Sequence, residues 1–322
     1  MNPPLGEPCT QWWQALRADP LAWLLDDRHP NVAWRVLVEL VERPVEAPAV
    51  RRMRGGAGAA EPVASLLEHL HPDGTWNLPS GEWTPFGGAW WHLVAAVRLG
   101  ADPTDPRVGA GLRRLLEEDD GMEAADPCAR ARALEAACRL GWADHPVVAE
   151  ALARFEAGAR SGWTCVHDAH HDSDGRCRVT AVALLAASSA APARRPYREL
   201  REAAAARITR WLAGYGDPAA VPWRPGFPNL LRTDPLEALE ALVAAGRPWD
   251  ADLHPVLAAV QLAQDGEGRW RTSAEPEAFG GLEGWDPPGR PSRWLTLSAL
   301  RVLRAWAVPA GLPVMMGPPP AA

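Results

Sequence analysis

The sequence predicts an all-helical α/α toroid, about twelve helices arranged as six hairpins in two concentric layers. Three observations lead there. Apolar residues recur at i, i+3 and i+4, as at Val179, Val182, Ala183 and Ala186, and two-residue alternation is essentially absent. A helix-end signal is also followed repeatedly by a helix-start signal. Leu99-Gly100-Ala101-Asp102 precedes Asp105-Pro106-Arg107-Val108, Leu140-Gly141-Trp142 precedes His145-Pro146-Val147-Val148, and Ala245-Gly246 precedes Leu253-His254-Pro255-Val256. Glycine closes one helix and proline opens the next. Finally, a turn of glycine and tryptophan recurs at Asp73-Gly74-Thr75-Trp76, Gly162-Trp163 and Gly268-Arg269-Trp270. Two-helix repeats of roughly 40 to 50 residues stack as hairpins. The small number of pairs and the lack of polar capping repeats favour closure into a ring.

Helices are predicted near residues 20–25, 30–42, 59–70, 86–99, 106–117, 128–140, 146–157, 177–190, 196–213, 234–245, 253–264 and 292–306. No linker divides the chain, so 1–316 reads as one domain. The stretch from Gly317 to Ala322 is rich in Pro and Ala and reads as a disordered tail.

Composition excludes several classes of function. The 322 residues are 47% hydrophobic, enough for a sizeable core, and carry a formal net charge of -7. There is no lysine; all 33 basic residues are arginine, which with the abundant Ala, Gly and Pro suggests a GC-rich bacterial genome. An acidic chain without a basic run does not suit nucleic acid. No apolar run reaches the roughly 18 residues of a membrane span. Met1 to Pro8 lacks the features of a signal peptide, so a cytoplasmic location is expected. Thiols stay reduced there, and the five cysteines are expected to pack, ligate or react rather than form disulfides. Seventeen tryptophans, against two tyrosines and four phenylalanines, require a repeated structural or binding role.

In a toroid of hairpins the inner helices run parallel, and their N-termini converge on one face. They are expected to begin near Asn31, Phe86, Cys128, Cys177, Asp234 and Ser292. Between the two cysteine starts lies WTCVHDAHHDSDGRC, Trp163 to Cys177, dense in metal-ligand residue types. Cys128, Cys165 and Cys177, completed by His167 or Asp126, form a sulfur-rich set suited to zinc. The competing reading is that these cysteines are small buried apolar residues, as Cys138 is expected to be in mid-helix, and that the loop is solvated. Asp234 reads either as an N-cap or as a site residue.

The tryptophan turns resemble the repeat turns of squalene and other triterpene cyclases, which share the α/α toroid with protein prenyltransferase β-subunits. Trp23 to Leu40, Phe227 to Leu239 and Pro291 to Leu303 are similar to stretches of bacterial proteins described as squalene-cyclase-like or prenyltransferase-like. The resemblance implies an enzyme acting on an apolar or isoprenoid-type molecule, with a protein partner as in the prenyltransferases. Asp126-Pro127-Cys128 resembles the D-x-C step of the prenyltransferase zinc site, with Cys177 where that family has a distant His. Asp172-Ser173-Asp174 resembles the acid motif of class II cyclases, without its last Asp, and implies metal-free proton catalysis by Asp172 and Asp174 as an alternative. Trp90, Trp91 and Trp294, near inner-helix starts, would contact substrate, while Trp76, Trp163 and Trp270 would clamp the repeats. A non-catalytic toroid that binds a ligand or partner is the third expectation.

Overall fold

The computed structural model describes residues 8–315 apart from 79–87, 118–124, 172–173, 192–196, 217–220, 275–276, 278–281 and 283–284. The expected Pro/Ala tail, the inner-helix start at Phe86 and the acid at Asp172 therefore lie outside the described residues.

The fold is predominantly helical. In chain order the α-helices are α1 (Leu21–Leu24), α2 (Pro30–Glu39), α3 (Pro48–Ala57), α4 (Val63–Leu67), α5 (Ala89–Arg98), α6 (Pro106–Glu117), α7 (Pro127–Arg139), α8 (Pro146–Ala157), α9 (Arg178–Ala190), α10 (Arg198–Ala213), α11 (Pro235–Ala244), α12 (His254–Leu262) and α13 (Arg293–Trp306). The only ladder among the described residues pairs β1 (Trp270–Arg271) with β2 (Pro291–Ser292), antiparallel.

Local chemistry sets the inner-helix boundaries. Pro30, Pro127 and Pro235 open α2, α7 and α11, where a missing N–H costs nothing. The Asp126 carboxylate accepts from the Cys128 N–H, the Asp234 carboxylate from the Leu236 and Glu237 N–H groups, and the Ser292 hydroxyl from the Leu295 N–H. The Cys177 sulfur accepts from the Thr180 N–H at the start of α9. Three helix ends close on Gly100, Gly141 and Gly246, with φ of 85°, 85° and 67°. After each glycine a backbone N–H reaches back to the last turn: Ala101 to Ala96, Trp142 to Ala137 and Arg247 to Leu242.

Helices α2, α5, α7, α9, α11 and α13 form the inner layer. Neighbours pack in sequence from α5 through α7, α9 and α11 to α13, and α13 packs back against α2. The gap between α2 and α5 is bridged by side chains. Asn31 Nδ2 donates to the Leu99 carbonyl at 3.2 Å and Trp34 Nε1 to that of Gly100 at 3.1 Å. The ring is thereby closed. Helices α3, α6, α8, α10 and α12 return the chain outside it. Burial reflects the two layers: every residue of α5 is buried, whereas α6 buries only one stripe.

The turn tryptophans tie the outer layer down. Trp163 Nε1 donates to the Phe155 carbonyl of α8 at 3.0 Å, and Trp270 Nε1 to the Val260 carbonyl of α12 at 2.8 Å. Trp76 Nε1 reaches the Gly111 carbonyl of α6 at 3.4 Å. One outer helix departs from the sequence expectation. The short α4 occupies only part of the helix expected over 59–70, and α3 forms over 48–57, where none was expected. Gly55, Gly56 and Gly58 lower the intrinsic helix signal of this segment, but Val50, Met53 and Ala57 bury against α2 and hold it.

Gly100 is where backbone freedom matters most. A Cβ there would lie 2.5 Å from the Asn31 carbonyl oxygen and 2.9 Å from the Trp294 ring, while one at Gly141 would meet nothing within 4 Å. Both positions have the same left-handed φ, so Gly141→Ala reports backbone strain alone. Gly100→Ala is expected to cost roughly 2–3 kcal/mol in urea unfolding, clearly more than Gly141→Ala. Equal losses would show that the α2–α5 junction is loose.

Candidate functional site

Two centres stand out, and they occupy different parts of the ring. The first lies at the starts of α7 and α9. Asp126 and Cys128 sit at the first turn of α7, Cys177 caps α9, and the intervening loop brings Cys165, His167 and His170 over both. The loop is anchored by the Val166 N–H donating to Asp126 at 2.9 Å and by the Cys177 N–H donating to the Trp163 carbonyl at 2.7 Å. Three sets of ligand atoms fall within 4.8 Å of one another: Cys128, His167 and His170; Cys165, His170 and Cys177; and Asp126, Cys128 and Cys165. These sets could hold a metal ion. Cys128 and Cys177 are fully buried and Cys165 is half-buried.

The thiols are not equivalent. The Cys128 S–H is shared between the Asp126 carboxylate, 2.9 Å away, and the Cys177 sulfur, and at Cys177 this bond outweighs burial. With further bonds from His170 and Thr180, it brings the Cys177 thiol down to about 3. The same bond, then burial and the Asp126 carboxylate, pushes Cys128 up. Burial is the main cause raising Cys165 to about 12. The pocket thus keeps one thiolate and two thiols. His170 Nδ1 lies 3.6 Å from the Cys165 sulfur, and the His167 and His170 rings are 4.7 Å apart. His170 joins two of the three sets and His167 one. All five cysteines are free thiols; Cys138, in the middle of α7, is buried and belongs to none of these sets.

The second centre is the cavity on the ring axis, about 340 Å³, to which all six inner helices contribute. It is charged. Buried Arg98 makes two bonds to Glu135, at 2.9 and 3.0 Å, and also pairs with Glu237. Arg132, completely buried, donates to Glu135 and Glu237 at 3.0 and 2.8 Å, and to the carbonyls of Leu230 and Arg232 at 3.0 and 2.8 Å. Arg139 pairs with Glu135 at 2.9 Å, and Arg301 bridges Glu39 and Glu240. Exposure rises along this series: 2% for the Glu135 side chain, 17% for Arg301, and 30% and 33% for Glu39 and Arg139. The cavity floor is therefore at Glu135, and its rim at the C-terminal ends of α2 and α7. No residue of the cysteine centre lines it.

The remaining residues singled out in the sequence are dispersed. Trp294 lines the cavity, stacked on Phe227 with ring centroids 4.9 Å apart; Trp90 and Trp91 are buried in the core and do not line it. Asp174 is ion-paired with Arg207 at 2.9 Å, which with a backbone bond holds its carboxyl below the usual range. An alkene-protonating acid needs the opposite setting. Asp234 is buried and accepts from four donors: the N–H groups of Gly226, Leu236 and Glu237 and the Asn229 amide. Burial and nearby Glu237 raise it despite these bonds. The expected cavity of aromatic rings is thus an arginine–glutamate cavity with one aromatic corner. The signal for it was present: Arg132, Glu135 and Arg139 lie within an alanine-rich inner helix, where charge has no exposed face to occupy.

No protein-family model matches the chain, and no curated protein matches it. Among solved structures, a polysaccharide lyase is similar at 12% sequence identity, over 88% of this chain and 90% of that chain, with a TM-score of 0.47.

Burial alone would raise Glu135, but Arg98, Arg139 and Arg132 outweigh it and hold the carboxyl at about 2. A depressed carboxyl stabilises the fold fully above its unfolded value, near 4.3, and that contribution disappears as pH falls toward 2. Glu135→Gln is expected to lose roughly 3–5 kcal/mol at pH 7, because it strands buried guanidiniums. Its stability should also fall less steeply than wild type between pH 4.3 and 2. Unchanged urea midpoints and an unchanged acid slope would show that the network does not hold the ring.

Proposed function

We propose that this chain is a zinc-binding helical toroid in which Cys128, Cys165, Cys177 and His170 hold the ion. The observation that carries the reading is that all pairs among these four groups are close. The shared sets bring Cys165, His170 and Cys177 together, pair Cys128 with Cys165 and with His170, and the Cys128–Cys177 hydrogen bond supplies the last pair. Zinc takes such sulfur and imidazole donors in a tetrahedron, with sulfurs about 2.3 Å from the ion. The single thiolate at Cys177 is a ready first ligand, and a divalent cation favours loss of the protons from Cys128 and Cys165. Asp126, bonded to the Cys128 sulfur at 2.9 Å and to the loop, orients the set, and His167 lies within reach of Cys128 and His170.

Four protein ligands leave no open position, so the zinc staples the loop onto the starts of α7 and α9. Small-molecule chemistry then belongs to the axial cavity. The apolar or prenyl-type substrate implied by the resemblance would lie along the wall of Val182, Ala186 and Ala241, with Trp294 at its corner. The charged floor supports a substrate that also carries a polar end. Proton catalysis by Asp172 and Asp174 has less support, because the Asp174 carboxylate is engaged with Arg207.

Elemental analysis of the purified chain is expected to give about one zinc per chain. Cys128→Ala and Cys177→Ala should each lower zinc content and the melting temperature, and Cys138→Ala should leave the zinc in place. Metal-free wild-type protein whose stability does not respond to added zinc or chelator would sink the reading.

A further inference from the structure

The axial cavity leaves one of its guanidiniums poorly paired. Among the described residues its lining holds four guanidiniums, those of Arg35, Arg98, Arg139 and Arg301. They face four carboxylates, those of Glu39, Glu135, Glu237 and Glu240. Arg132, completely buried behind the lining, also draws on Glu135 and Glu237, so the carboxylates are shared.

The weakly paired one is Arg35. Its nearest carboxylate oxygen is that of Glu39 at 3.7 Å, and Glu39 is shared with Arg301. It donates to the Val97 carbonyl at 3.4 Å, and its Nε has no hydrogen-bond partner. Only 12% of the side chain is exposed. Burial lowers Arg35 to about 10, with Glu39 only partly opposing it. The guanidinium also lies 5.0 Å from the Trp34 ring centroid and 5.8 Å from the Trp294 ring centroid, within cation–π range of both. The other arginines of the network each make a carboxylate contact of 3.0 Å or less. Across from this cation the wall is apolar, with Val182 and Ala186 of α9 and Ala241 of α11.

We propose that the axial cavity binds a small amphiphilic anion, its carboxylate or phosphate monoester on Arg35 and its apolar body against Val182, Ala186 and Ala241. A planar guanidinium presents paired donors that match either head group. The volume of about 340 Å³ is that of a small-molecule site rather than a macromolecular groove, since such sites begin at roughly 300 Å³. The exposed rim at Glu39 and Arg139 gives the ligand its entry, and their opposite charges leave the selection of an anion to Arg35 below them.

The test is calorimetric titration of the full chain with hexanoate, hexyl phosphate, inorganic phosphate, hexanol and hexylamine. Hexanoate or hexyl phosphate should bind at least tenfold more tightly than hexanol, hexylamine or inorganic phosphate. The tighter of the two anions identifies the head group. Arg35→Gln should weaken that binding at least tenfold, and Arg35→Lys should retain part of it. Ala186→Phe keeps every charge, fills the apolar side of the cavity and should also abolish binding. Arg247→Gln, which removes a guanidinium outside the cavity lining, should bind the anion as wild type does. Hexylamine binding as tightly as hexanoate, or folded Arg35→Gln and Ala186→Phe proteins that bind the anions unchanged, would overturn the proposal.

Discussion

The structure depends on one buried electrostatic knot. Arg132 and Glu135 on α7, Arg98 on α5 and Glu237 on α11 meet at the ring axis, and Arg132 also takes the carbonyls of Leu230 and Arg232. Three inner helices and the segment leading into α11 are therefore fixed to a common point. Such a knot is costly to desolvate, and replacing it with well-packed apolar groups is often neutral or better for stability. What it supplies is geometry. Apolar side chains on six parallel helices could slide past one another, whereas paired guanidinium and carboxylate groups match in few registers.

The same knot explains why the interior differs from the sequence expectation. The alternation of inner and outer helices was legible because it is written in local signals. Pro127 after Asp126, Pro235 after Asp234, and Gly100, Gly141 and Gly246 at helix ends each act within a few residues. The proximity of Cys128, Cys165 and Cys177 could be anticipated for a similar reason: two of them open consecutive inner helices, and the third lies on the loop between. His170 was less accessible, since the sequence does not say which histidine of a short loop turns toward the sulfurs. Arg98 and Glu237 were harder still than Glu135 in its alanine-rich helix, because charged residues usually mark a solvated face, and only the tertiary arrangement shows that these two have none. Helix α3 was missed because its glycines weaken local propensity while its stability comes from packing on α2.

The separation of the two centres is also informative. The cysteines sit where helices begin, and N-terminal N–H groups favour a thiolate there. The axial cavity opens where α2 and α7 end, and its side chains supply their own positive charge. A ring of parallel helices has two electrostatically distinct faces, and this chain places different chemistry at each.

The meeting of the first and last described segments has a consequence for how the molecule comes apart. Cys9 donates its N–H to the Leu312 carbonyl at 2.8 Å, and the Gln261 and Gln264 amides both reach the Ala15 carbonyl. An open stack of hairpins loses its end repeats first and unzips toward the middle. Here the terminal hairpins are each other's neighbours, so no repeat is an end repeat and fraying has nowhere to begin. Unfolding of this ring should be a single all-or-none event, as steep as its full size allows.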